Sequence, residues 1–229
     1  MGMLIEGSWD ANAAGTQASD GSFVRVVSPY RDVISDPSSD SERFPAEKGR
    51  YNIVVSYACP WAHRTLLYRA LLGLEETIDI SVVHPVSYPN GWNFQPYDGV
   101  VNLTGVKVEY LHELYTAIDP QFTGKVTVPT LWDKKTKRIV NNESSEIIRM
   151  LDGPFSQLVG NRSNSMLANY SQIEIERMND LIYKGLNNGV YRVGFAKSQA
   201  AYNASVALLF ETLDTLENIL AETTFLLGD

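Results

Sequence analysis

Cysteine is almost absent from this chain, which has one, Cys59, among 229 residues. A single thiol excludes an internal disulfide framework and suits a reducing compartment. It also means that any thiol redox chemistry must draw its second thiol from outside the protein. Histidine is scarce too, with three residues, and Cys59, His63, His84 and His112 stand at no metal-ligand spacing, so no metal is expected. No glycine-rich phosphate loop is present. Positive charge is in the minority, with 19 Lys and Arg against 27 Asp and Glu and a formal net charge of −8. That balance points away from nucleic acid and from anionic membranes. No run of 18 apolar residues occurs, so no membrane-spanning helix is expected. Residues 1–20 hold no basic stretch followed by an apolar core, so they do not read as a secretory signal. No arginine precedes Arg25, which weakens a mitochondrial presequence and leaves the cytoplasm as the expected location.

What is present is enough apolar content, 44%, for one large domain or two modest ones. Residues 1–48 read as an irregular N-terminal extension, with 36–41 a loop by composition. Ile53-Val54-Val55 is a β-branched run fit for a buried strand. Apolar residues then recur at 62, 66, 67, 70, 71 and 74, which is helical spacing, and residues 78–83 form a second strand. Strand, helix and strand within so short a span make a βαβ unit with parallel strands. A long aromatic loop, 84–102, follows, then a helix marked by Val108, Leu111, Leu114, Tyr115 and Ile118. Residues 126–132 and 137–140 read as a hairpin turned at 133–136. Pro129 disturbs that pattern, because proline cannot donate a ladder hydrogen bond. A cis bond before it would put it at a strand entry. Residues 143–151 read as a short helix.

This order, βαβα then ββα, is that of a thioredoxin-like α/β domain, assigned to residues 49–153, with a boundary at Asp152-Gly153-Pro154. Residues 160–229 carry two long amphipathic stretches, 163–187 and 196–220, each with an apolar face to cover, and form part of an all-helical C-terminal domain. The chain stops in an apolar segment, Phe225-Leu226-Leu227, so the natural protein is expected to continue.

Cys59 falls between the first strand and its helix. A thiol there meets the positive end of the helix dipole, which favours the nucleophilic thiolate. The alternative is a buried structural cysteine. Pro60 suits the first helical turn, where a missing N–H costs nothing.

The run Ser56-Tyr57-Ala58-Cys59-Pro60-Trp61-Ala62-His63-Arg64 resembles the active-site signature of the glutathione transferase superfamily, and within it of the Xi class, the glutathionyl-hydroquinone reductases. Ser81-Val82-Val83-His84-Pro85, Val128-Pro129, Leu131-Trp132-Asp133, the run 139–147 and Asn188-Gly189-Val190-Tyr191 match in the same order, over residues 21–229.

The resemblance implies glutathione as co-substrate, Cys59 as nucleophile and Tyr191 as a second catalytic group, which could bind the quinol oxygen or protonate the leaving carbon. Its other reading is a core tyrosine. Glu143 and Ser144 would hold the γ-glutamyl end of glutathione, or merely cap a helix. Val128 would pair with the cysteinyl part through its backbone, unless it belongs to an ordinary edge strand. Trp92 would pack on glutathione or fill the loop core. Lys125 would meet a glutathione carboxylate or stay a solvated lysine. His63 and Arg64 read as helix-face residues. Family members extend further, and that part brings a second active-site tyrosine and part of a homodimer contact. The implied activity is reduction of aromatic glutathionyl-hydroquinones. An omega-like thiol transferase or dehydroascorbate reductase and a non-catalytic glutathione-binding scaffold remain as alternatives.

Overall fold

The structure is a computed structural model that describes residues 2–13, 16–36, 43–87, 89–160, 165–167 and 170–228. The chain divides into two compact units, one of Met1–Ala13 with Val27–Met166 and the other of Ala14–Val26 with Leu167–Asp229.

The first unit holds a short antiparallel hairpin, β1 (Met3–Ile5) and β2 (Ser8–Asp10), inside the stretch expected to be irregular. It is anchored by reciprocal bonds between Leu4 and Gly124. The N-terminal extension is therefore no single lead-in: residues 14–26 belong to the second unit and the rest to the first. The loop expected at 36–41 lies mostly outside the described residues.

Four strands make the main sheet, β3 (Tyr51–Val55), β4 (Asp79–Val82), β5 (Thr130–Asp133) and β6 (Arg138–Asn141), in the order β4-β3-β5-β6. β3 runs parallel to β4 and antiparallel to β5, and β5 runs antiparallel to β6. All five residues of β3 are buried, as a central strand covered on both faces requires. Each large aliphatic side chain so buried contributes about 1.5–3 kcal/mol. Helix α1 (Pro60–Leu71) links β3 to β4 and turns its Ala62 and Thr65 inward. Helix α2 (His112–Ile118) packs by β6, and α3 (Ser144–Met150) packs on α1. This is the thioredoxin-like arrangement expected from the order of elements.

The boundary expected at Asp152-Gly153-Pro154 is not a break. The chain stays helical through a π turn, Leu151–Phe155, into a last turn, α4 (Ser156–Leu158). The wider turn accommodates Pro154, which has no N–H for the α-helical ladder. Asp152 is buried there and accepts from Ser165 Oγ at 2.7 Å and Met166 N–H at 2.9 Å. These bonds tie the segment on to Ser165 and Met166, and the first unit runs to Met166.

The second unit holds α5 (Gln172–Ile182), a π turn (Tyr183–Asn187), α6 (Gly189–Gly194) and α7 (Gln199–Leu220). The first stretch was expected to start at 163, which lies outside the described residues. The described helix starts at Gln172, behind a capping box of Ser171 and Glu174. The π turn lets Gly185 approach α7, where a Cβ would fall 1.9 Å from Thr212 Oγ1. Residues 16–26 lie along these helices, with Lys197 N–H bonding Gly21 O and Gln17 Nε2 bonding Phe195 O. Apolar faces remain exposed, at Ile173, Leu181, Phe210, Leu213 and Phe225 among others. Among the described residues no helix is long and apolar enough to cross a membrane.

Candidate functional site

Antiparallel pairing of β3 with β5 sets the exit of one beside the entrance of the other, with Val54 opposite Thr130. β3 exits into Ser56-Tyr57-Ala58, a turn in which Ser56 Oγ accepts from Ala58 N–H at 3.2 Å and Ser56 O accepts from Cys59 N–H at 3.0 Å. That turn delivers Cys59 to the N-cap of α1, with Pro60 at the first helical position. No acidic residue occupies the first turn to oppose the helix dipole. The thiol is half-buried, and its Sγ lies 3.5 Å from the carbonyl oxygen of Val128.

Val128 enters β5 through a cis bond to Pro129, at the strand entry anticipated from the misplaced proline. The turn around it is held from inside. Thr130 Oγ1 donates to Thr127 O at 2.7 Å. The buried Tyr115 hydroxyl accepts from Thr127 N–H at 3.4 Å and from Asn142 Nδ2 at 3.2 Å. Val128 carries no hydrogen bond on its own N–H among the described residues, so its backbone keeps a donor next to the thiol.

β6 ends at Asn141, whose Oδ1 accepts from Glu143 N–H at 2.7 Å and so launches α3. Glu143 is the N-cap of α3. Its Oε1 accepts from Ser145 N–H (3.3 Å) and Ser145 Oγ (3.1 Å), and its Oε2 accepts from Ser28 Oγ (3.2 Å). A carboxylate has about four lone-pair sites. Capping and a ligand ammonium are thus compatible. Ser144 is buried, and its Oγ accepts from Arg64 Nε at 3.0 Å and Arg64 Nη2 at 2.7 Å. The guanidinium lies 5.4 Å over the Trp61 ring and 3.9 Å from Glu143 Oε1. Burial pulls the Arg64 guanidinium below its ordinary pKa, against the pull of Glu143.

Cys59, Val128, Glu143 and Ser144 thus come together in one unit, at the ends of β3, β5 and β6. Lys125 donates from Nζ to Gly2 O at 3.3 Å, and burial lowers its pKa. Trp92 is half-buried against the core of that unit, and its carbonyl accepts from Leu111 N–H at 2.8 Å. Tyr191 lies in the second unit, on α6. The Arg25 guanidinium stands 4.5 Å over its ring and donates from Nε to Asn188 Oδ1 at 2.7 Å. Arg64, Tyr115 and Asn142 were not read as site residues. The spacing of Arg64, one turn after Cys59, was the available signal. What it bonds, 80 residues on, was not legible. Beside the cysteine turn a cavity of about 290 Å³ is walled by Tyr57, Val82, Val83, Pro85, Tyr97, Asp98 and Gly99. No cluster of three or more His, Cys, Asp or Glu that could hold a metal occurs among the described residues.

Residues 58–153 match the family of the glutathione S-transferase N-terminal domain. The whole chain is 47% identical to the glutathionyl-hydroquinone reductase PcpF of Sphingobium chlorophenolicum and covers 71% of that protein. The glutathione S-transferase Xi of Phanerochaete chrysosporium superimposes with a TM-score of 0.85 at 44% identity, over 93% of this chain and 68% of that one. The glutathione-bound structure of YqjG, a glutathione transferase homologue from Escherichia coli K-12, does so with a TM-score of 0.84 at 40% identity, over 99% and 69%.

Proposed function

This chain belongs to the Xi class of the glutathione transferase superfamily, and from that premise we propose that it reduces glutathionyl-hydroquinones at the expense of glutathione. The observation that carries the reading is a lone thiol at a helix N-cap, 3.5 Å from the backbone of the turn before β5, with no second cysteine in the chain. Thiolate Cys59 attacks the sulfur of the thioether that joins glutathione to the aromatic ring. A sulfur–sulfur bond forms, the carbon–sulfur bond breaks, and its electron pair goes to the ring carbon. That carbon takes a proton, which Tyr191 supplies in this reading. The product is the free hydroquinone, with glutathione held on Cys59 as a mixed disulfide. A second glutathione thiolate attacks that disulfide, releases oxidised glutathione and restores Cys59. The external thiol does what a resolving cysteine would do.

The γ-glutamyl end is read into Glu143 and Ser144, with Trp92 and Lys125 as further glutathione contacts. The cysteinyl amide is read against the Val128 backbone. A ligand N–H on Val128 O competes for the acceptor that the Cys59 thiol now uses, and so releases Sγ for deprotonation. Homodimerisation and a cytoplasmic location belong to the same proposal, the latter because a lone reactive thiol suits a reducing compartment.

The test is turnover of a glutathionyl-hydroquinone by the wild-type chain and Cys59→Ser, beside a simple glutathione mixed disulfide. Loss of turnover in the variant with glutathione binding kept supports the reading. Substantial reductase activity in Cys59→Ser sinks it. Preference for the mixed disulfide would instead assign an omega-like thiol transferase.

A further inference from the structure

The bonds between α1 and α3 carry a second consequence for the γ-glutamyl cradle. A serine hydroxyl has one donor and two acceptor lone pairs. Ser144 Oγ receives two N–H groups of Arg64, at 3.0 and 2.7 Å, so both lone pairs are taken. Only the O–H remains, and it donates to nothing among the described residues. Glu143 attracts the guanidinium but makes no hydrogen bond to it, since the nearest arginine nitrogen is 3.9 Å from its Oε1. Trp61 backs the guanidinium from its own helix, at 5.4 Å. Arginine is suited to this, because its planar fork presents several N–H groups in fixed directions.

We infer that Arg64 is a positioning residue that turns Ser144 into an obligatory donor, so that Ser144 selects an anionic acceptor, the α-carboxylate of the γ-glutamyl group. This rests on the reading of Glu143 and Ser144 as the γ-glutamyl cradle. An arginine that merely ties two helices would weaken all ligands alike. An arginine that acts through the serine hydroxyl makes affinity depend on the ligand's carboxylate.

The experiment is calorimetric binding of glutathione and of γ-aminobutyryl-cysteinylglycine, which lacks only that carboxylate, to the full reduced chain. In the wild type, loss of the carboxylate should weaken binding about tenfold or more, as for a hydrogen bond to a charged group. In Arg64→Met that ratio should fall at least about threefold, in Ser144→Ala by a similar factor, and in the double variant no further, because the two residues act as one unit. Arg64→Lys keeps the charge but fills one lone pair, so its ratio should lie between; this variant serves if Arg64→Met fails to fold. An unchanged ratio in the Arg64 variants, with the ratio lost in Ser144→Ala, overturns the inference and leaves the cradle standing. No carboxylate dependence in the wild type overturns the cradle itself.

Discussion

Replacing Asp133 by asparagine should destabilise the first unit by about 3–5 kcal/mol, the usual cost of removing one partner from a buried ion pair. The carboxylate is fully buried and the Arg50 side chain is 5% exposed. They meet through two bonds, Nε to Oδ1 at 2.9 Å and Nη2 to Oδ2 at 2.6 Å. Thr136 Oγ1 and Lys135 N–H fill the remaining positions at 2.7 and 2.9 Å. Asparagine keeps the shape but turns an amide NH₂ toward donors and leaves Arg50 with Glu47, a partly exposed partner at 3.2 Å. At about 2–4 °C per kcal/mol for a chain of this size, the melting temperature should fall by about 10 °C. Differential scanning calorimetry at neutral pH reads this directly. Burial pushes the Asp133 carboxyl up, but the bonds from Arg50, Thr136 and Lys135 outweigh it and hold the group below its usual range. A carboxyl lowered in the folded state stabilises above its unfolded pKa, about 3.9, and that contribution is lost as pH falls through the folded value. The stability difference between wild type and Asp133→Asn should therefore shrink below about pH 4. Arg50→Met with Asp133→Leu should recover most of the loss, because an apolar pair has no desolvation to repay. A loss under about 1 kcal/mol in Asp133→Asn, well below the usual cost of an orphaned buried charge, would refute the reasoning. The pair also joins the start of β3 to the end of β5, and so helps hold the register that brings Val128 to Cys59.

Tyr115→Phe should cost about 1–3 kcal/mol, since the buried Asn142 amide loses a partner. It should also raise the KM for glutathione by loosening the 127–130 turn, which steady-state kinetics would measure; an unchanged KM would mean that the turn is held without the hydroxyl. Gly185→Ala puts a methyl into Thr212, so the second unit should lose about 1–3 kcal/mol, visible as faster hydrogen exchange in α5 to α7. Protection equal to wild type would show that the helices can move apart at no cost. Tyr191→Phe should slow reduction of a glutathionyl-hydroquinone by at least about tenfold, given the usual worth of a general acid. It should leave the addition of one glutathione to Cys59 from oxidised glutathione intact by mass, and equal loss of both would remove the proton-donor role.

Much of the first unit was legible because its signals are local. The β-branched run 53–55 had to be a buried strand, and the apolar spacing after Trp61 had to be a helix. Pro129 betrayed its special bond by interrupting a strand pattern. Local signals told less where the answer was tertiary. Gly153-Pro154 reads as a break in any sequence, yet a π turn and the Asp152 bonds to 165 and 166 carry the chain through it. Residues 1–48 read as irregular because no periodicity shows how they dock. They contain a hairpin paired at Gly124 and a segment that packs with helices nearly 180 residues later, as Ser198 Oγ bonding Asp20 O illustrates.

By itself the sequence determined the order of the elements along the chain, the lone thiol at a strand-to-helix turn, and the lack of a second cysteine beside it. These depend on residue type and spacing along the chain. Only the tertiary structure decided that Cys59 faces the Val128 carbonyl and that Arg64 of α1 fills both acceptor positions of the Ser144 hydroxyl on α3. Both follow from the antiparallel pairing of β5 with β3 and β6, and from the packing of α1 on α3. Such contacts join residues 69 and 80 positions apart, and no period of the sequence reports a distance through space.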